Sequence, residues 1–483
     1  MPYNVLWICT DQQRGDTLGC TGNPFISTPN LDRLAERGVV FERAYCQNPT
    51  CTPSRSSFLT GRYPRTTRCR QNGQRFRKDE KLISKIFEEN GYVCGLSGKL
   101  HLNPCSPTVC RAMEERVDDG YAVFHWSHGG HDGWATHEYF QWLREHGQCF
   151  AARDVEGTNL VQYGMDEEYH QTTWCTEKAM SFIEANVEYG NNWMFSLNIY
   201  DPHHPFDPPK AYLDKYMDRL DTLPMPNYVE GELDQKPQFQ RIDHKGAYNN
   251  HDSNNAAVIF DNMSEYEHRL MRASYYSMIE LIDNQVGRLM DMLERLNQLE
   301  NTIVIFTSDH GEMLGDHGLY LKGPYFYEGA VRVPLIMSCP GTIAEGKRSR
   351  ALVELMDLAP TLVEACGLPA QPQMQGKSLW GQLTGQTDLD VHKDYVYSEY
   401  YNSMPWHKNP TAQCTMVFDG RYKLVAVHST NEGELYDLSE DPEETRNLWS
   451  DPESVGLRAD MLMKLCNAMA FTVDPMEERI SDW

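Results

Sequence analysis

Four short stretches of the sequence combine carboxylate, imidazole or ammonium side chains directly after an apolar run. They are Asp11-Gln12, Gly98-Lys99-Leu100-His101, Asp201-Pro202-His203 and Ser308-Asp309-His310, and Lys322 follows the last of them. Oxygen donors of Asp and Gln suit hard divalent cations, whereas Lys and His suit a tetrahedral oxyanion. A metal ion that faces several cations implies a strongly anionic group between them. The pattern therefore favours the chemistry of sulfate or phosphate esters.

Each of these residues also has a structural interpretation when it is taken alone. An aspartate after a strand commonly closes a turn, and Asp309 could cap a helix that begins at Glu312. Lys99 or Lys322 alone fits a solvated surface charge, and His203 alone fits a loop. The agreement among four strand ends favours a shared site, because the carboxyl ends of parallel strands meet at one edge of a sheet.

The segment Cys51-Thr52-Pro53-Ser54-Arg55 places a thiol at the expected start of a helix. Pro53 is favoured in the first helical turn, so Cys51 falls at or just before the N-cap, where free N–H groups stabilise an anion. Arg55 lies on the same helical face and could contact both position 51 and a bound oxyanion. A thiolate there could be a nucleophile, but thiolates suit hard metal sites poorly. An oxygen nucleophile at position 51 would remove this conflict.

These motifs resemble the signature of the type I sulfatase family, which belongs to the alkaline phosphatase-like superfamily. The matching residues are Cys-x-Pro-Ser-Arg at 51–55, Leu-Thr-Gly at 59–61 and, in family order, the groups at 11, 98–101, 202–206 and 308–311. In that family the cysteine is converted to formylglycine, whose hydrate attacks sulfur and later expels sulfate. The resemblance implies formylglycine derived from Cys51, and a formylglycine-generating or anaerobic sulfatase-maturating enzyme as a partner.

The resemblance also implies a divalent cation held by Asp11, Gln12, Asp309 and His310, with Cys51 as a further ligand. Many family members have a second Asp where this chain has Gln12, and an Asn where it has His310. The ligand set here carries one negative charge fewer. We expect Ca²⁺, with Mg²⁺ or Mn²⁺ as alternatives.

The remaining matching residues are implied to handle the substrate anion. Arg55 would stabilise the aldehyde hydrate, and Lys99 would bind sulfate oxygens together with His203. Lys322 would lie near the bridging oxygen, with His203 as a candidate acid. His101 would orient the second hydroxyl or take its proton.

Aromatic residues after position 125 are candidates for contacts with the rest of the substrate. Trp126, His131 and Trp134 could stack on a sugar or aryl ring, and a structural clamp is an equally good interpretation. The leading interpretation is a sulfatase acting on a small sulfated carbohydrate or an aryl or alkyl sulfate. Because the run 316–324 is similar to a branch that includes phosphonate monoester hydrolases, a phosphonate monoester or phosphodiester hydrolase stays open. So does an inactive relative that only binds an anion or metal.

Buried strands separated by helices would position these residues. Apolar runs at 4–10, 92–97, 193–200 and 302–307 alternate with helical patterns at 28–37, 81–90, 173–187 and 271–299. This alternation predicts an α/β fold with a large, mainly parallel sheet between helices. Short strands and a helix at 454–470 predict a smaller antiparallel α+β subdomain at 371–483, after a catalytic domain at 1–370. The stretches 102–160 and 202–262 are expected to be loop insertions near the site.

The composition excludes several classes of partner. The chain has 44 Lys and Arg against 69 Asp and Glu, and this net charge of −25 argues against nucleic acid and anionic membrane surfaces. No apolar run could span a membrane and no signal-peptide pattern is evident, so we expect a cytoplasmic protein. The 14 cysteines show no zinc-type pairing, so most are expected to be free core thiols. A homo-oligomer is compatible with these features.

Overall fold

The computed structural model describes residues 2–129, 134–246, 258–404, 409–475 and 481. Its strands are β1 (Asn4–Thr10), β2 (Gly38–Phe41), β3 (Ala44–Tyr45), β4 (Val93–Gly98), β5 (Val123–Trp126), β6 (Arg153–Asp154), β7 (Gln162–Tyr163), β8 (Trp193–Asn198), β9 (Thr302–Ser308), β10 (Arg332–Val333), β11 (Leu335–Ser338), β12 (Lys347–Ser349), β13 (Val353–Glu354), β14 (Val396–Tyr401), β15 (Gln413–Phe418), β16 (Tyr422–Val427) and β17 (Glu432–Asp437). Its α-helices are α1 (Pro29–Glu36), α2 (Cys51–Thr60), α3 (Pro64–Thr67), α4 (Ile83–Glu89), α5 (Glu138–Glu145), α6 (Gln171–Glu188), α7 (Lys210–Met217), α8 (Gln238–His244), α9 (Glu265–Arg295), α10 (Glu328–Val331), α11 (Leu358–Ala365), α12 (Trp380–Leu383) and α13 (Val455–Ala470).

An eight-stranded sheet in the order β12-β2-β11-β9-β1-β8-β4-β5 forms the centre of the molecule. The run β9-β1-β8-β4-β5 is parallel throughout, whereas β11 is antiparallel to both of its neighbours. The predicted large, mainly parallel sheet is therefore confirmed. The four predicted strand ends belong to β9, β1, β8 and β4, which are neighbours in this run. Their carboxyl ends therefore lie side by side.

Strand β1 is buried along its whole length because both faces of the sheet are covered. Leu6 and Ile8 pack into the core formed with helices α1, α6 and α9, whereas Val5, Trp7 and Cys9 pack into the core formed with α2, α4 and α11. The predicted helices on both faces are thus present. The longest helix, α9, begins at Glu265, where Ser264 and Glu267 form a capping box. Within the described ranges, no helix is both long and apolar enough to cross a membrane.

Strands β14 to β17 form a separate antiparallel sheet in sequence order, as predicted for the C-terminal part, and α13 packs against it. Val396, Met416 and Phe418 of this sheet belong to the same apolar cluster as Trp7 of β1. The two sheets therefore share one continuous core. The boundary at 370/371 stays a prediction.

The stretches 102–160 and 202–262 contain more regular structure than the expected loops. The first includes β5, an edge strand of the large sheet, and helix α5; the second includes α7 and α8. Strand β5 has only four residues and is half-buried along most of its length. An edge strand of that length lacks the continuous apolar run that made the central strands recognisable.

A buried lysine connects the C-terminal sheet to the rest of the molecule, and its removal tests that connection. The Nζ atom of Lys423 lies 2.7 Å from a carboxylate oxygen of Glu328 in α10 and 2.7 Å from one of Glu444. Lys423→Ala should lower the free energy of unfolding by about 3–5 kcal/mol, because it leaves the buried Glu444 carboxylate without its cation, whereas Glu328 keeps its pair with Arg332. Urea unfolding measures this, with Lys464→Ala as the control, since its pair with Asp419 is one-third exposed and should contribute at most about 1 kcal/mol. Equal losses in both variants would contradict the prediction.

Candidate active site

The four strand ends bring their polar side chains to one place. Asp11 and Gln12 follow β1, Lys99 follows β4, His203 follows β8, and Asp309 follows β9. Hydrogen bonds join them across the sheet, since the Gln12 N–H donates to Asp309 Oδ1 over 3.1 Å and the Lys99 ammonium donates to Asp11 Oδ2. Gly98 permits this approach, because a Cβ there would lie 1.9 Å from the carbonyl oxygen of Asn198. The convergence predicted from the sequence is confirmed as geometry.

Cys51 is the first residue of helix α2, and the N-cap is Thr50. Cys51 therefore lies one position further into the helix than the N-cap position predicted for it. Its side chain is 1% exposed and points into the converged strand ends. The Sγ atom lies 3.2 Å from His310 Nε2 and 3.7 Å from Asp11 Oδ1 on one side. On the other it lies 3.6 Å from the Nζ atom of Lys99 and 3.4 Å from that of Lys322. One atom thus contacts both the metal-type donors and the cations.

Four side chains form a group with the donors of a metal site. The ligand atoms of Asp11, Cys51, Asp309 and His310 all lie within 4.8 Å of one another, and all four residues are buried. The Nδ1 atom of His310 is 2.9 Å from the Gly311 carbonyl oxygen, which turns Nε2 toward the group. Two carboxylates and one imidazole fit a hard divalent cation, whereas the Cys51 sulfur is the exception among them.

The predicted fifth ligand, Gln12, makes different contacts in this structure. Its Oε1 atom accepts a hydrogen bond from Lys322 Nζ over 2.7 Å, and its Nε2 donates to Glu312. The side chain therefore lies beside the metal group, with its amide oxygen engaged by a cation. Its place as a ligand stays a prediction.

The charges around Cys51 change its acidity. Burial and the Asp11 carboxylate raise the pKa of the thiol, but Lys322, Lys99 and His310 outweigh them and lower it to about 5. Lys99, followed by His203, Lys322 and Arg55, holds the pKa of Asp11 well below its usual range despite burial. The pocket is thus built to hold negative charge at position 51 and immediately beside it.

Arg55 is fully engaged by the carboxylates beneath the site. Its Nε donates to Asp309 over 2.8 Å, one terminal nitrogen lies 3.4 Å from Asp11, and the other donates to the Lys99 carbonyl oxygen over 2.8 Å. The sequence predicted a contact between Arg55 and the group at position 51. Within the described residues no hydrogen bond joins Arg55 to Cys51, so its direct contribution in this structure is to balance Asp309 and Asp11.

Comparison with known proteins places this geometry in a family. The model of the family described as Sulfatase matches residues 3–368, about three quarters of the chain. The chain belongs to the sulfatase family. A second model, described as N-sulphoglucosamine sulphohydrolase, C-terminal, matches residues 315–470 of this sulfatase. The enzyme is accordingly a sulfuric ester hydrolase with the alkaline phosphatase-like fold that the sequence resemblance implied.

Individual relatives cover nearly the whole sulfatase. It is 29% identical to an arylsulfatase of Clostridium perfringens, over 96% of this chain and 94% of the relative. It is 30% identical to the multifunctional alkaline phosphatase superfamily protein PehA of Trinickia caryophylli, over 95% of this chain and 94% of the relative. The solved phosphonate monoester hydrolase SpPMH from Silicibacter pomeroyi superposes with a TM-score of 0.83 at 26% identity, covering 98% of this chain and 96% of that one.

The two histidines expected to act in the sulfatase reaction are both close enough to Lys99 for its charge to act on them. The Nε2 atom of His203 accepts from Lys322 Nζ over 2.6 Å, and burial together with Lys322 holds the pKa of His203 well below its usual value. His101 is half-buried with a positive φ of 55°, and its pKa is likewise lowered by burial and then by Lys99. Burial thus favours the neutral form of both imidazoles.

The residues expected to contact the rest of the substrate are placed only in part. Trp126 and Trp134 are 0% and 2% exposed and pack edge to face, with ring centroids 5.3 Å apart. This packing matches the structural clamp that was the alternative interpretation. A substrate contact for these two residues stays a prediction, and His131 lies outside the described residues.

Glu312 is a site residue that the sequence does not predict. Its position suggests only the start of a helix, but residues 309–315 are not helical. Its buried carboxylate accepts the Gln12 Nε2–H and the backbone N–H groups of Leu314 and Leu321. These bonds fix the Gln12 amide with its oxygen toward Lys322. The sequence feature that could have indicated this role is the position of Glu312, two residues after the predicted ligand His310.

Exchanging Glu312 for glutamine should loosen the site without removing any predicted ligand. A glutamine there can turn its own N–H toward Gln12, so the Gln12 amide loses its fixed orientation. We expect Glu312→Gln to weaken binding of the divalent ion by about 10–100-fold, as outer partners of metal sites typically do. Calorimetric titration of the metal-free protein measures this, with the exposed Glu300→Gln as the matched control. Equal affinities in the two variants would exclude the role.

Proposed function

We propose that the enzyme hydrolyses the sulfate monoester of a small carbohydrate, or of an aryl or alkyl alcohol, at the buried site around position 51. The observation that carries this proposal is the position of the Cys51 Sγ atom, which contacts Asp11 and His310 on one side and Lys99 and Lys322 on the other. An anion bound there would meet the two ammonium groups and the metal group at once. The match to the C-terminal model of N-sulphoglucosamine sulphohydrolase supports a sulfated sugar among these substrates.

Two chemical groups complete the site in this proposal. Formylglycine formed from Cys51 supplies, as its hydrate, an oxygen nucleophile in place of the thiolate, which removes the mismatch between sulfur and the hard donors. A divalent cation held by Asp11, Asp309 and His310, with Gln12 as a further ligand, supplies positive charge beside the sulfate oxygens. We expect Ca²⁺, with Mg²⁺ or Mn²⁺ as alternatives. A formylglycine-generating or anaerobic sulfatase-maturating enzyme would be the partner in the modification.

The chain's own residues would then bind the ester and move protons. Lys99 and His203 would hold sulfate oxygens, and Lys322 would lie next to the bridging oxygen. Because Lys322 Nζ is 2.6 Å from His203 Nε2, a proton can pass between them to the departing alcohol. His101, with its lowered pKa, would take the proton of the second hydroxyl. Arg55 would keep Asp11 and Asp309 ionised beneath the group at position 51.

The second candidate function is hydrolysis of phosphonate monoesters or phosphodiesters. The observation in its favour is the superposition on a phosphonate monoester hydrolase with a TM-score of 0.83 at 26% identity. These esters and sulfate monoesters carry the same single negative charge. One cluster of cations could therefore bind both.

A comparison of substrates on the converted enzyme decides between the two. The chain is expressed with a formylglycine-generating enzyme and supplied with Ca²⁺ or Mg²⁺, and kcat/KM is measured for an aryl sulfate, a phosphodiester and a phenylphosphonate monoester. We expect the sulfate to be preferred. A preference for the phosphorus esters would replace the proposed substrate class while keeping the site.

A further inference from the structure

A second group of metal-type donors lies behind His101, outside the site described above. The Cys105 thiol, the Glu114 carboxylate and a ring nitrogen of His128 all lie within 4.8 Å of one another. Glu114 is buried and the other two residues are half-buried. The three donors come from the segment that begins after β4 and ends two residues after β5, where the sequence shows no zinc-type spacing. The fold, not the local sequence, brings them together.

The donor set differs in kind from that of the catalytic site. It offers sulfur, nitrogen and oxygen from three residue types, which is the combination that Zn²⁺ accepts and that Ca²⁺ and Mg²⁺ do not. Zn²⁺ bonds of about 2.0–2.3 Å in a tetrahedron keep ligand atoms roughly 3.3–3.8 Å apart. The observed separations, at most 4.8 Å, would have to close by about an ångström, which side-chain rotation in half-buried residues allows.

The charge balance at this group also favours a cation. Glu114 is 1% exposed, and within the described residues it takes part in no salt bridge. Both its carboxylate oxygens accept the backbone N–H of His101 over 3.0 Å. Burial raises the pKa of Glu114 to about 8, although these N–H groups and the charges of Arg55 and Lys99 act in the opposite direction. Burial and then Glu114 also raise the pKa of Cys105, and the Cys110 thiol lies beside it.

We propose that Cys105, Glu114 and His128 bind a second divalent metal ion, Zn²⁺ by their chemistry. The ion displaces the thiol and carboxyl protons and leaves both groups as anions bound to it. No redox step is involved. The site is separate from the hard-donor group at Asp11 and Asp309.

The ion would be a positioning device for His101. The backbone N–H of His101 bonds to Glu114, and its ring lies edge to face on His128 with centroids 4.6 Å apart. His101 holds a φ of 55°, a conformation that costs a non-glycine residue free energy and persists only when its surroundings enforce it. Fixing Glu114 and His128 on one ion would enforce both the backbone and the ring of His101.

Cobalt substitution tests the site directly. The full chain is prepared as Cys51→Ala, so that no thiolate is left in the catalytic group, then kept reduced, saturated with Ca²⁺ and titrated with Co²⁺. We expect about one equivalent to produce a thiolate-to-cobalt charge-transfer band and the intense visible bands of four-coordinate Co²⁺. Zn²⁺ should abolish both. The bands should be absent in Cys105→Ser and unchanged in Cys149→Ser, which alters an exposed thiol.

Two further outcomes keep the test decisive. Should Cys105→Ser fail to fold, Glu114→Gln serves in its place, because it keeps the acceptor for the His101 N–H but should weaken Co²⁺ binding at least tenfold. The proposal would be overturned if the reduced protein showed no charge-transfer band. It would also be overturned if the band were unchanged in Cys105→Ser and in Glu114→Gln. A Cys105–Cys110 disulfide that forms while the reduced protein binds no Co²⁺ would overturn it as well.

Discussion

Cys51→Ala is expected to lower kcat for an aryl sulfate by about 10⁴-fold or more, the typical effect of removing a covalent nucleophile. The proposed reaction begins at position 51, where the nucleophile meets both the metal group and the two lysines. Alanine removes it but leaves Lys99, Lys322 and His310 in place. Binding of the substrate should therefore weaken much less than turnover. Pre-steady-state and steady-state kinetics on the converted enzyme measure the two effects separately.

The matched control for this variant is a buried cysteine in the C-terminal sheet. Cys414→Ala removes a fully buried thiol from β15 of the C-terminal sheet. It should cost about 1 kcal/mol of stability and leave kcat unchanged. Turnover that survives Cys51→Ala, or that falls equally in Cys414→Ala, would contradict the mechanism.

Lys99→Met should lower kcat/KM by about 10²–10³-fold, as expected when one charged donor is removed from a buried anion site. The methionine fills the same volume but leaves Asp11 without its nearest cation. In the unconverted protein the same change should raise the pKa of the Cys51 thiol above about 5, because Lys99 is one of the groups that lower it. The shift is followed by the thiolate absorbance at ~240 nm as a function of pH, corrected with a Cys51→Ser blank.

The control for Lys99→Met is Lys81→Met, which breaks only an exposed pair with Glu89. It should change neither kcat/KM nor the thiol pKa. Metal content is measured in both variants, so that a lost ion is not mistaken for a lost anion contact. An unchanged thiol pKa in Lys99→Met would show that this ammonium does not control the charge at position 51.

The sequence predicted the centre of the molecule well because central parallel strands are buried on both faces. Runs such as NVLWICT are recognisable without any tertiary information, and the residues after them must converge. Asp11, Lys99, His203 and Asp309 were located in this way. The edge strand β5 was not, since four half-buried residues give no continuous apolar run.

Contacts made by side chains across the fold were harder to predict than the strand ends. The carboxylate of Glu312 reaches Gln12 across 300 residues of sequence, and no spacing rule connects them. Arg55 was placed on the correct helical face, but its engagement with Asp309 depends on a strand end 254 residues away. The Cys105, Glu114 and His128 group lies on irregular backbone, where the sequence has no period to follow.

The burial of helix α2 limits when the proposed conversion of Cys51 could take place. All ten residues from Cys51 to Thr60 are buried, between the large sheet and helix α11. A modifying enzyme would have to reach the cysteine and several of its neighbours, and the folded chain leaves no room for it. Under the proposed function, conversion would therefore have to precede the docking of α2, while the segment is still extended during or just after synthesis. A chain that folded first would keep its thiol, so the yield of active enzyme would depend on whether modification is faster than folding.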